Sequence, residues 1–253
     1  MPCATACTSS PRCAAESMRL NRYLAACGLG SRRAVEQLAR DGRVTVNDVV
    51  ELTPGRDIAE GDVVRLDRRT IAPDAFEYVL LHKPAGTVTT LSDTHGRPTV
   101  GDLVRSHARL FPVGRLDTNT TGVLLLTNDG ELANRLMHPS FGVDKTYEAL
   151  VRGTVSDAAV QALCLGVTLE DGKTAPAQAR VLHTGRGGTT LEITVHEGKN
   201  HQVRRMCEAV GHAVIALRRT SYGGLTLGQL GMGRQRPLTA AEVEGLRRAT
   251  GDG

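Results

Sequence analysis

Apolar residues recur along this chain at two different periods. In the first part the period is helical. From Met18 onward, Leu20, Tyr23, Leu24 and Cys27 fall at i, i+3, i+4 and i+7, and Gly28 stops the stripe. Ser31 is placed to cap a second helix with Val35, Leu38 and Ala39 on one face and Gly42 at its end. Short β-like runs follow at Val44 to Val46, beyond which Asn47-Asp48 make a turn, and at Val63 to Leu66. Asp67 to Ala75 is charged, contains Pro73 and has no period, so it reads as a linker.

After the linker, strands and helices alternate irregularly. Tyr78 to Leu81 is a short strand that runs into a turn at His82-Lys83-Pro84-Ala85-Gly86. Val123 to Thr127 is a continuous apolar and β-branched run, the pattern of a buried strand, and Asn128-Asp129-Gly130 turns out of it. Asp129 can cap a helix over Glu131 to Met137. Lys145 to Val151 alternates, with Tyr147 and Ala149 on one face. Ser156 to Leu165 reads as a helix, and Leu191 to Val195 and Val214 to Thr220 as strands. Asn200 is placed to cap a helix ending at Gly211, and Thr239 with Glu242 forms a capping box for a last helix. With no regular βαβ period and no glycine-rich fingerprint after a strand, the pattern predicts an α+β fold with a mixed or antiparallel sheet. The expected organisation is a leader over 1–17, a small helical and β module over 18–66, a linker over 67–75 and a larger domain over 76–250.

Composition narrows this further. Aromatic residues make up 3% of the chain and Trp is absent, so the core should be aliphatic. The net charge is +4, and Met18 to Asn47 alone holds six arginines against two acidic residues. The basic character is therefore concentrated in the first thirty residues of the small module. The leader is rich in Ala, Ser, Thr and Cys without the apolar stretch of a signal peptide, and Met18 is a second candidate start. Cys3, Cys7, Cys13, Cys27, Cys164 and Cys207 form no paired metal-ligand spacing, which fits reduced thiols in a cytoplasmic protein. No apolar span is long enough for a membrane helix.

The candidate chemistry centres on GRLDTNTTGVLLLTNDG, residues 114–130, where Asp117 sits in a polar turn before the buried strand. Alone, such an Asp is most often a turn former. Two other features suggest anions. Arg32 and Arg33 stand in the first turn of their helix, and Lys199, Arg204 and Arg205 crowd the first turn of theirs. In both places they oppose the helix dipole and call for an anionic partner, a carboxylate or a phosphate. Lys83 at its strand end reads as a surface lysine or as a phosphate or site-wall residue. A phosphatase of the D-x-D-x-T kind would need a second Asp where Asn119 stands, and a glycosidase would need a second carboxylate that no motif nominates. The histidines His82, His138, His196, His201 and His212 are scattered and carry no ligand spacing.

The segments HKPAG, GRLDTNTTGVLLLTNDG, KTYEALV and GKNHQVRRM together resemble those of the RsuA-type rRNA pseudouridine synthases, and ELANRLMHPS is most similar to the branch acting on large-subunit rRNA. RLNRYLAACGLGSRRAVEQLARDGRVTVND resembles the RNA-binding module named after ribosomal protein S-four. The first resemblance implies a mainly antiparallel mixed sheet and site-specific isomerisation of uridine. It implies Asp117 as the essential carboxylate, Tyr147 as the aromatic residue stacking on the base, and Arg204 as the partner of the carboxylate. Val203 would line the base pocket, and Arg115 would hold the flipped nucleotide. Lys83 and Arg205 join these as substrate-contacting candidates. The second implies RNA contact by Arg32, Arg33, Arg43 and Asn47. No metal or other cofactor is implied; the expected partner is ribosomal RNA, with no membrane, for a cytoplasmic monomer. A catalytically silent RNA-binding or ribosome-assembly factor on the same scaffold is the rival reading.

Overall fold

In a computed structural model, residues 17–251 are described, and the leader, with Cys3, Cys7 and Cys13, lies outside them but for Ser17. The chain divides into two compact units, Met1–Ala75 and Phe76–Gly253.

The first unit packs helices Leu20–Ala26 and Arg32–Arg40 on a small antiparallel sheet. Ser31 caps the second helix through its side chain, and Leu20, Leu24, Val35, Ala39, Val44, Val46, Ile58 and Val64 fill the core. Asn47 and Asp48 both adopt positive φ, at 53° and 66°, so a two-residue turn joins Val44–Val46 to Val49–Val50. The segment read as a linker is a correction. Asp67 and Arg68 form a second such turn, Arg69–Thr70 pairs with Val64–Leu66, and Tyr23 donates its hydroxyl to the Ile71 carbonyl. Charge and Pro73 hid a short hairpin with too few residues to show a period.

The second unit is built on a sheet whose main path runs Gln178–Gly185, Gly188–Val195, Lys145–Val151, Val214–Tyr222, Thr120–Thr127, Tyr78–Lys83, Gln235–Pro237. Neighbours are antiparallel except Thr120–Thr127 beside Val214–Tyr222, which run parallel. Val123, Leu124, Leu125 and Leu126 are all fully buried, because apolar clusters cover both faces of this strand. That explains why its sequence is continuous rather than alternating. The parallel pair approaches closely at Gly122. Its φ is 115°, and a Cβ there would stand 2.1 Å from the Arg219 carbonyl oxygen.

The expected helices at Glu131 to Met137, Ser156 to Leu165 and after Thr239 are present as Gly130–Met137, Asp157–Leu165 and Ala240–Ala249, capped by Asp129, Ser156 and Thr239. Asn200 is not a cap. The N-cap of Gln202–Ala209 is His201, in the left-handed region with φ 49° and no side-chain cap. Gln202 reaches back instead and accepts from the Lys199 N–H at 3.0 Å. The outer strand Gln178–Gly185 went unpredicted because nearly all its residues are exposed, so no alternation marks it.

Candidate active site

Asp117 lies in the loop leading into Thr120–Thr127, and its main chain is held at several points. The ammonium of Lys83, fully buried, donates to the carbonyls of Pro84, Asp117, Thr118 and Thr120 at 3.0–3.2 Å. Thr89 Oγ1 donates to the Leu116 carbonyl at 2.6 Å and accepts from the Leu116 N–H at 3.2 Å. Gly86 N–H donates to Thr118 O at 2.9 Å. The Pro84–Gly86 turn that sequence reads as a surface feature therefore wraps the Asp117 loop. Lys83 is corrected from a substrate contact to a buried brace: it is out of reach of any ligand, and its donors are engaged by carbonyls. Burial pushes its ammonium down to about 8, with Arg219 adding to the shift and Asp117 opposing it.

The Asp117 carboxylate itself is one-third exposed and faces two basic groups. Arg204 Nε stands 4.0 Å from Oδ2, and His201 Nε2 stands 3.4 Å from Oδ1. Arg204 also donates to Asn119 O at 3.4 Å and Val214 O at 3.5 Å, which spans its guanidinium between the loop and the strand Val214–Tyr222. In the sequence His201 is one of several scattered histidines. Its place depends on a left-handed residue that sequence gives no means of foreseeing.

Arg205, one residue on, points elsewhere. It forms a two-pronged pair with Asp171 and donates to Asn200 O, and Lys199 donates to the Gly172 and Lys173 carbonyls at 3.1 and 3.2 Å. The anion expected for Lys199 and Arg205 is thus Asp171, on the hairpin formed by Thr168–Leu169 and Gly172–Lys173. Arg205 is corrected from a substrate contact to a pillar of that hairpin.

Asp117 opens onto a cavity of about 570 Å³. Tyr147, Val203 and Leu217 give it an aromatic and aliphatic lining, and Arg115 stands exposed at its edge. Tyr147 pairs directly with Arg219 on the neighbouring strand, so the two side chains share the face that meets the cavity. Arg219 is 2% exposed; its Nε donates to Val123 O at 2.8 Å and its guanidinium lies 4.8 Å from the Tyr222 ring centre. Arg219 Nη2 and Thr120 Oγ1 have no hydrogen-bond partner among the described residues, and both residues line the cavity. Leaving such atoms unpaired costs about 1–3 kcal/mol each.

In the first unit, Arg32 and Arg33 are exposed with no acidic residue in their helical turn. Two exposed companions are also engaged within the unit. Asn47 spends both ends of its amide on Asp62 and on the Val63 N–H, and Arg43 is paired with Asp67. Both hold turns. Among the described residues no cluster of three or more His, Cys, Asp or Glu is arranged for a metal ion, and no helix is long and apolar enough to cross a membrane.

Residues 77–209 match the family model of RNA pseudouridylate synthases, and residues 18–64 match that of the S4 domain. A ribosomal large subunit pseudouridine synthase B of Bacillus subtilis (strain 168) is 43% identical over 90% of this chain and 95% of its own length. An uncharacterized RNA pseudouridine synthase of Aquifex aeolicus (strain VF5) is 41% identical over 92% and 95%. A crystal structure of a pseudouridylate synthase aligns with a TM-score of 0.66 at 29% identity, covering 91% of this chain and all of the other.

Proposed function

The chain belongs to the RNA pseudouridylate synthase family and carries an S4 domain ahead of its catalytic unit, and from that premise we propose that it isomerises one uridine of large-subunit ribosomal RNA. The substrate class rests on the 43% identical relative, whose name assigns it to the large subunit. The protein would act as a cytoplasmic monomer on rRNA, with no metal or cofactor. The observation that carries the reading is Asp117: a carboxylate on a braced loop, facing Arg204 and opening onto a cavity lined by Tyr147 and Val203.

The chemistry follows from those groups. The target uridine must leave its stack, which costs a few kcal/mol, and an aromatic platform such as Tyr147 recovers part of this. Asp117 acts as a nucleophile or a base, and the Arg204 guanidinium fixes its direction. The uracil released from the sugar has to be kept while it turns, and Val203 and Leu217 exclude water around it. Arg115 stands where it would hold the flipped nucleotide, and Arg32 and Arg33 would contact phosphates of the surrounding RNA. The test is to incubate the protein with unmodified large-subunit rRNA and map pseudouridine. One modified position is expected, absent with Asp117→Ala; RNA binding without any product would instead support the silent assembly factor.

A further inference from the structure

The site described so far sets Asp117 against Arg204 and His201, and the wall behind it is strongly cationic. Lys83, Lys145 and Arg219 converge there; Arg219 lowers the proton affinity of both lysines, after burial as the main cause. The lysines are satisfied. Lys83 has its four carbonyls, and Lys145 donates to the Val143 and His196 carbonyls at 2.8 and 3.2 Å. Arg219 is not. Its Nε is fixed to Val123 O and its plane rests against Tyr222, whose own hydroxyl is tied to Leu136 O at 3.0 Å. The guanidinium therefore cannot swing, and its Nη2 is left without a partner among the described residues. A buried, immobilised guanidinium that lines the cavity beside Tyr147 is a preorganised positive group for negative charge that develops inside the cavity.

We infer that Arg219 is a catalytic residue, its guanidinium donating a hydrogen to a carbonyl oxygen of the uracil and holding the charge the base carries while detached. This rests on the assignment of the cavity as the uridine site. When the bond from sugar C1′ to uracil N1 breaks, its electron pair stays with the base. The base becomes an anion, with the charge shared between N1 and the two carbonyl oxygens. The base then turns, C5 bonds to C1′, the proton on C5 is lost and N1 takes one up, so the reaction is a net isomerisation. Arg219 acts in the interval between the two bonds. Thr120, whose hydroxyl is also unpartnered among the described residues, lines the cavity beside it.

The experiment pairs protein variants with atom-substituted RNA. Single-turnover pseudouridine formation is measured for wild type, Arg219→Gln, Arg219→Lys and Thr120→Val on RNA carrying uridine, 2-thiouridine or 4-thiouridine at the target. Arg219→Gln is expected to lower the rate constant on the order of 10²-fold while RNA affinity stays within about twofold. The sulfur substitution at the contacted oxygen should slow wild type but slow Arg219→Gln no further. Arg219→Lys and Thr120→Val should show smaller losses with the same non-additivity, and decide the matter if Arg219→Gln does not fold. A rate within about threefold of wild type, an equal fall in RNA affinity, or additive effects with both thio-substrates would overturn the inference. Wild-type protein that makes no pseudouridine on uridine RNA would overturn the functional reading instead.

Discussion

The Lys83 ammonium lies 3.1 Å from the main-chain oxygen of Asp117 and within 3.2 Å of three further carbonyls around the same loop. A buried cation thus sets the position of the carboxylate without touching it. Catalytic geometry is commonly secured in this way, by groups behind the reacting one. Replacing Lys83 by Met should leave the loop carbonyls unpaired, lowering stability by roughly 3 kcal/mol and turnover on the order of 10²-fold. Denaturant unfolding and single-turnover assays check the two losses separately.

The same lysine makes a pH prediction with opposite signs for stability and activity. Its ammonium titrates at about 8 in the folded protein against 10.5 when free. Below about 8 both states hold the proton and this group adds no pH dependence. Between about 8 and 10.5 the unfolded chain keeps the proton the folded one has released, so stability from this group rises with pH. Turnover should fall over the same window, because the neutral amine offers two N–H donors in place of three. Lys83→Met should lack the alkaline fall near 8; a wild-type profile flat to pH 9.5 would refute the assignment.

Arg204 and Arg205 are sequence neighbours with separate duties. Arg204→Gln should reduce turnover on the order of 10²–10³-fold with little change in RNA affinity, because it frees the Asp117 carboxylate from its guanidinium. Arg205→Gln removes a solvent-exposed pair with Asp171 and should cost about 0.2–1 kcal/mol in stability with turnover close to wild type. Parallel kinetic and melting measurements on the two variants decide this.

Gly122 leaves no room for a side chain. Gly122→Ala places a methyl group into the Arg219 backbone and at an unfavourable φ, and should destabilise the protein by about 3 kcal/mol. A melting temperature unchanged within a degree or so would show that the parallel pair is looser than described.

Arg32 and Arg33 make the test of the small unit. Their double replacement by Ala should weaken RNA binding and reduce the slope of log affinity against log salt by about 2, while pseudouridine formation at saturating RNA persists. An unchanged slope would place the RNA elsewhere.

Much of this was legible in the sequence, for identifiable reasons. The strand Lys145–Val151 alternates because its two faces have different environments, and Asp129, Ser156 and Thr239 cap their helices through purely local bonds. Asp117, Tyr147 and Val203 were named from segments that carry a family likeness. What escaped depends on distant partners. Lys83 looks like any turn lysine until residues 117–120 fold over it. Asp171 gives no hint of Arg205, which lies 34 positions away. Asn47 and Arg43 look free in the sequence, but each has an acidic partner, Asp62 and Asp67, that local pattern does not announce. Arg219 stands on a predicted strand, yet its burial and its spare donor follow only from the parallel register with Gly122.

That parallel register also governs when the site can exist during synthesis. Thr120 is paired with Leu217, and Gly122 with Arg219, so two strands nearly a hundred residues apart must meet before the cavity closes. The strand partners of the first unit all lie within Met18–Thr70. A chain emerging from the ribosome thus holds all the pairing partners of its RNA-binding unit long before it holds a site. Recognition surfaces come first and chemistry last, a sequence of events set by contact distance along the chain.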